Sequence, residues 1–122
     1  MVAQSGKIML VEDDASMRML LKTLLEIEGR TVVSYYEQKK PAGSIIDMVR
    51  QERPAAILLD VHLRDESGID VLREIRADRT LDEVRVIMCS GMDVKDECMQ
   101  AGASDFLMKP YMPDELLSRL PK

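Results

Sequence analysis

Five short apolar runs divide the chain, and a stretch with helical periodicity follows each. Lys7–Val11, Thr31–Ser34, Ala56–Leu59, Arg85–Cys89 and Asp105–Lys109 are dominated by apolar and β-branched residues and predict buried strands. Between the first two, Met17, Leu20, Leu21, Leu24 and Ile27 recur at helical spacing. They predict a helix over Asp14–Gly29, with Asp14 as its cap and Gly29 as its stop. Pro41–Gly43 punctuates before Ser44–Gln51, where Ile45, Met48 and Val49 make a second helix face. Ile69, Leu72 and Ile75 place a third helix over Gly68–Ala77. Asp93–Gln100 reads as a short polar helix closed by Gly102. Pro113–Leu120 reads as a last helix with Pro113 in its first turn. No pattern sets the register over Tyr35–Gly43.

Strands alternating with amphipathic helices imply a doubly wound α/β domain, its parallel sheet covered on both faces. At 122 residues, with no internal linker or repeat, the chain is expected to form one domain over residues 1–122. A hydrophobic share of 46% excludes disorder. The net charge of −5 argues against direct nucleic-acid binding, which needs a basic surface. The polar Met1–Lys7 segment has no apolar signal region, and runs such as Ile8–Val11 and Ala55–Leu59 fall far short of a membrane span. A soluble, cytoplasmic protein is expected. Cys89 and Cys98 lack metal-finger or CxxC spacing and read as reduced thiols. The chain carries 10 methionines against 3 tyrosines and 1 phenylalanine. Met9, Met88 and Met108 fall in strands and are expected in the core. Met17, Met19, Met92 and Met112 fall on helix faces or near the strand-end rim, where inward packing is preferred for each taken singly over partner docking. Lys39-Lys40 reads as solvated loop charge.

The chemistry gathers where strands end. The first strand runs into Glu12-Asp13-Asp14, the third into Asp60, the fourth into Ser90 and the fifth into Lys109. Open α/β sheets bind ligands beyond the carboxyl ends of their strands, where the strand order reverses. If the order is 2-1-3-4-5, Glu12, Asp13 and Asp60 converge there. Carboxylates so crowded repel one another, and a hard divalent cation resolves the conflict. Mg²⁺ takes oxygen ligands and keeps several waters, which leaves room for a phosphoryl group. Lys109 supplies a compact positive charge and Ser90 a hydroxyl, both suited to phosphoryl oxygens. Asp60, the isolated central acid, is the natural nucleophile for an aspartyl phosphate. His62 is the only histidine, and zinc needs several ligands. Its side chain stands either near the phosphoryl position or in solvent, and both readings stay open.

Leu10-Val11-Glu12-Asp13-Asp14, Leu58-Leu59-Asp60-Val61 with Gly68, Ser90-Gly91 and Gly102–Pro110 carry a resemblance over nearly the whole chain. In order, spacing and placement they resemble the response-regulator receiver domains of two-component signalling. The resemblance implies the flavodoxin-like strand order 2-1-3-4-5. It also implies that Asp60 accepts a phosphoryl group from a histidine kinase or phosphotransfer protein. Asp13 would bind Mg²⁺ directly and Glu12 through water, with Asp60 in the same ligand set and the backbone carbonyl of His62 as the third protein ligand. Lys109 would pair with the phosphoryl oxygens, Ser90 would move toward them, and Phe106 would turn inward behind it. The Lys109-Pro110 bond is expected to be cis. The first helix and the loop after the fifth strand would meet the phosphodonor. The face around Lys95, Phe106 and Tyr111 would carry the output to an output domain or target protein, with a phosphorylation-dependent dimer as one form. The domain would be a phosphoacceptor, capable of self-dephosphorylation, rather than an enzyme.

Three departures stand out. Arg64 follows Leu63 where the family often has proline, Phe106 replaces the frequent tyrosine, and the Ser90–Lys109 segment is short with a helix poor in apolar residues. Two rivals use similar residues. A haloacid-dehalogenase-type phosphatase opens with a DxD nucleophile motif on its first strand, whereas here the acid pair comes first and Asp60-Val61-His62 sits on the third. A flavin binder needs a hydroxyl-rich phosphate loop after the first strand, where these three acids would repel the phosphate. The abrupt end after the last helix favours the N-terminal receiver of a longer regulator, with a stand-alone receiver as the alternative.

Overall fold

Aliphatic side chains buried on both faces place the strands at the centre of the molecule. A computed structural model of the chain describes residues 6–37 and 43–121. The strands β1 (Ile8–Val11), β2 (Val32–Ser34), β3 (Ala56–Asp60), β4 (Arg85–Ser90) and β5 (Asp105–Met108) pair in parallel, in the order β2-β1-β3-β4-β5. The helices are α1 (Ala15–Ile27), α2 (Ile45–Glu52), α3 (Gly68–Ala77), α4 (Lys95–Gln100) and α5 (Pro113–Arg119). This is the doubly wound, flavodoxin-like arrangement expected. Lys39-Lys40 and Pro41 lie outside the described residues.

Alternation along the strands divides the core between two layers. Met9, Val11, Ile57, Leu59, Val86, Met88 and Phe106 meet α2, α3 and α4 on one face. Ile8, Leu10, Leu58, Ile87, Cys89 and Leu107 meet α1 and α5 on the other. Cys89 and Cys98 are both buried and free, and they belong to opposite layers.

Asp14 caps α1 by accepting from the Met17 amide at 2.9 Å, and Gly29 ends it with a φ of 84°, which a side chain would resist. The buried face of α1 differs from expectation. Leu21 and Leu25 are buried, with Met17 and Leu24 beside them, while Leu20 and Ile27 are 63% and 74% exposed. At roughly 100° per residue, positions 20 and 27 lie about a third of a turn or more from the stripe centred on 21 and 25.

The methionines also need correcting. Met9 and Met88 are fully buried, but Met108 closes the edge strand β5 and is 42% exposed. Met19, Met92 and Met112 are exposed rather than packed inward. Helix α4 begins at Lys95 rather than Asp93, and its N-cap Val94 makes no side-chain capping hydrogen bond. Strand β4 runs one residue further than expected, through Ser90, and β5 stops before Lys109. Single turns of 3₁₀ helix at Tyr35–Glu37 and Arg79–Leu81 are too short to leave a periodic signal.

Candidate functional site

Sheet register brings the strand ends together. Val11 pairs with Leu59, so Glu12 leaves β1 beside Asp60, and Asp60 pairs with Cys89 just before Ser90. Backbone bonds extend the pattern past the strands. The Lys109 amide donates to the Ser90 carbonyl at 2.8 Å, and the Val61 amide to the Cys89 carbonyl at 2.9 Å. The Lys109-Pro110 peptide is cis, as expected.

At the centre, Lys109 bridges two carboxylates. Its Nζ donates to Asp60 Oδ2 at 2.7 Å and to Glu12 Oε1 at 3.0 Å. Both acids are buried, Glu12 at 4% exposure and Asp60 at 6%. Their other oxygens are also engaged. Asp60 Oδ1 accepts from the His62 amide at 3.0 Å, and Glu12 Oε2 from the Asp14 amide at 3.2 Å. Burial pushes the Glu12 carboxyl above its usual range, although the hydrogen bonds from Lys109 and Asp14 oppose it. Burial would lower the Lys109 pKa, but its bonds to Asp60 and Glu12 outweigh that and hold it above the ordinary lysine range.

The loop between β3 and α3 shapes the other side. His62 and Ser67 pair in an isolated antiparallel bridge, and the Gly68 amide donates to the Val61 carbonyl at 2.7 Å. Gly68 is needed here for close approach. A Cβ on it would collide with the Asp60 carbonyl oxygen and come within 2.9 Å of the carbonyl carbon. His62 is exposed. Ser90 is buried, and its Oγ accepts from the Met92 amide at 3.0 Å, which leaves the hydroxyl proton available. Gly91 beside it opens onto free space. Phe106 is buried in the α2–α3–α4 layer.

Asp13 behaves differently from Glu12 and Asp60. Its Oδ2 accepts from the Arg64 amide at 2.6 Å, and Arg64 Nη2 reaches the Asp13 carbonyl at 3.3 Å. Two of the expected carboxylates therefore converge on Lys109, while the third is held by the β3–α3 loop. Among the described residues no three acidic, histidine or cysteine groups are gathered as a metal cage. The donors still suit a hard cation in kind, since all are carboxylate or carbonyl oxygens. Tyr36, whose ring lies 5.9 Å from the Arg64 guanidinium, has its pKa pushed up to about 12 by burial and then by the charge of Asp13.

One feature escaped the sequence reading. A largely apolar cavity of about 290 Å³ opens beside Lys109, walled by Met17, Leu21 and Leu24 of α1 and by Pro110, Tyr111 and Pro113. The Tyr111 hydroxyl is buried there with no hydrogen-bond partner among the described residues. Its signal was the Pro110-Tyr111 pair after Lys109, facing the apolar stripe of α1.

The family model for the response regulator receiver domain matches residues 8–121. Chemotaxis protein CheY of Bacillus subtilis (strain 168) is 32% identical over 119 residues, covering 95% of each chain. Response regulator MprA of Mycobacterium tuberculosis (strain ATCC 25177 / H37Ra) is also 32% identical over 119 residues, but these are 49% of its length, so the chain spans about half of that relative. The BeF3-activated N-terminal receiver domain of Klebsiella pneumoniae RstA superposes with a TM-score of 0.78 at 26% identity over 93% of each chain. The receiver domain of sensor histidine kinase PA1611 from Pseudomonas aeruginosa PAO1 carries a magnesium ion coordinated in its active site cleft. It superposes with a TM-score of 0.73 at 30% identity, over 93% of this chain and 92% of that one. Fold, strand-end chemistry and relatives agree: the chain belongs to the response regulator receiver domain family of two-component signalling.

Proposed function

We propose that Asp60 is a phosphoacceptor, loaded from a phosphohistidine on a histidine kinase or phosphotransfer protein. An Asp60 oxygen attacks phosphorus, the P–N bond breaks, and its electron pair returns to the imidazole. The observation that supports this reading is the bridge from Lys109 to both Asp60 and Glu12, a buried carboxylate pair held against one cation. Lys109 transfers its hydrogen bond from Asp60 Oδ2 to the incoming phosphoryl oxygens. The free proton of Ser90 Oγ donates to the same group, and Gly91 leaves its approach open. Phe106 then repacks behind Ser90.

The Asp13 and Asp60 carboxylates, Glu12 through water and the His62 carbonyl would hold Mg²⁺. When bound, it supplies positive charge to the phosphoryl oxygens in the transition state. The magnesium in the receiver domain of PA1611 supports this reading. The domain is a signalling phosphoacceptor, able to lose its phosphate by hydrolysis, rather than an enzyme acting on a separate substrate. Its phosphorylated surface acts on an output domain or target protein, or on a second copy, and binds no nucleic acid itself. MprA and CheY exemplify the longer and equal-length arrangements. We place it in the cytoplasm; among the described residues no helix is long and apolar enough to cross a membrane.

The test is intact mass after treatment with acetyl phosphate and Mg²⁺. The wild type should gain one phosphate and Asp60→Asn none. An equal gain in Asp60→Asn would remove Asp60 as the acceptor.

A further inference from the structure

We infer that the backbone N–H of Arg64 is a positioning donor for Asp13, fixing one carboxylate oxygen so that the other is presented to a divalent cation. This rests on the metal-assisted phosphoacceptor reading above. Asp13 Oδ2 takes the Arg64 amide at 2.6 Å, a short charge-assisted bond across 51 residues of sequence. Oδ1 accepts no hydrogen bond among the described residues and stays free for a cation. A carboxylate held this way loses less rotamer freedom when it takes up a metal, and such outer partners commonly set affinity.

The donor is itself held in place. The His62–Ser67 bridge and the bond from the Gly68 amide to the Val61 carbonyl close the loop on either side of Arg64. The side chain adds a second tie, with Nη2 at 3.3 Å from the Asp13 carbonyl and the guanidinium 5.9 Å from the Tyr36 ring. Amide and side chain act in opposite directions on a cation. The N–H orients its ligand, while the guanidinium brings positive charge to the same neighbourhood and repels it. Proline at this position would lack both the donor and the charge.

Calorimetric titration with Mg²⁺ separates the two contributions. Arg64→Pro removes the N–H together with the charge and should bind Mg²⁺ about tenfold more weakly than Arg64→Ala. Arg64→Ala keeps the N–H and drops the charge. It should bind at least as tightly as the wild type, and about two- to threefold tighter at low salt. Urea unfolding checks that each variant is folded. Amide spectra of ¹⁵N-labelled wild type give a readout free of any change at Arg64. Its amide should exchange slowly and shift along the Mg²⁺ titration at the calorimetric midpoint, and both features should vanish in Asp13→Ala.

Equal affinity in folded Arg64→Pro and Arg64→Ala overturns the inference. So does an Arg64 amide indifferent to Asp13→Ala. Wild type that binds no Mg²⁺ at all overturns the metal reading of the site, and this inference with it.

Discussion

Lys109 and Asp60 meet with their charged atoms 2.7 Å apart, across 49 residues of sequence and with β4 lying between their strands. The bond from the Lys109 amide to the Ser90 carbonyl anchors the lysine backbone to β4, so the side chain has only to span one strand. Lys109→Met keeps the length and removes the charge. Labelling of Asp60 by acetyl phosphate should slow by about 100-fold, the usual cost of losing one donor aimed at developing charge. The rate of mass gain measures it. A variant that labels at the wild-type rate would reduce Lys109 to a structural partner.

Asp78 ties α2 to α3 and should shape the acid limb of stability. It accepts from the Thr80 hydroxyl at 2.6 Å, from Arg50 Nε at 2.9 Å and from the Thr80 amide at 3.0 Å. These bonds hold its carboxyl down at about 2, against an ordinary 3.8. A depressed carboxyl contributes stability that is full above its unfolded pKa and is lost as pH falls through the folded value. Asp78→Asn should therefore be less stable than wild type at neutral pH, and the gap should close between about pH 4 and pH 2. Urea midpoints across that range test the sign. A gap that stays constant, or widens toward acid, would contradict it.

Parts of this site were readable in the chain and parts were not, for physical reasons. Continuous aliphatic strands announce themselves, so the acids, serine and lysine at their ends could be placed without coordinates. The face of α1 was harder, because Leu20 and Ile27 fit a helical period while pointing away from the core. Met108 sits in the same alternation as Phe106, and only its place at the end of an edge strand exposes it. The Asp13–Arg64 contact had no side-chain signature at all, since its donor is a backbone N–H in a loop 51 residues away. Arg64 was visible only as a departure from proline.

Gly68 tests how closely the β3–α3 loop is built onto Asp60, the proposed acceptor. Its φ is ordinary; what excludes a side chain is the backbone of Asp60 and Val61. Gly68→Ala forces a shift of backbone that has no flexible end to give way, and overpacking of this kind costs about 1–3 kcal/mol. Urea unfolding should show that loss. Because the displaced carbonyl belongs to Asp60 itself, acetyl phosphate labelling should slow as well. Unchanged stability would mean that the loop relaxes freely and that Gly68 is dispensable.

The two strand methionines that look alike in sequence should behave oppositely. Val11, Leu59, Met88 and Phe106 stand opposite one another on β1, β3, β4 and β5, forming one row across the sheet. All four belong to the layer under α2, α3 and α4, and Met88 is fully buried within it. Met88→Ala leaves a cavity between Leu59 and Phe106 that neighbouring strands cannot close without moving the sheet. It should cost about 2–5 kcal/mol. Met108 lies two residues beyond Phe106 on the same strand, with much of its side chain in solvent. Met108→Ala should stay within about 0.5 kcal/mol of the wild type. Paired urea unfolding curves decide the contrast. Comparable losses at both positions would mean that the end of β5 is packed in solution, and that the edge strand is covered there by something other than α4.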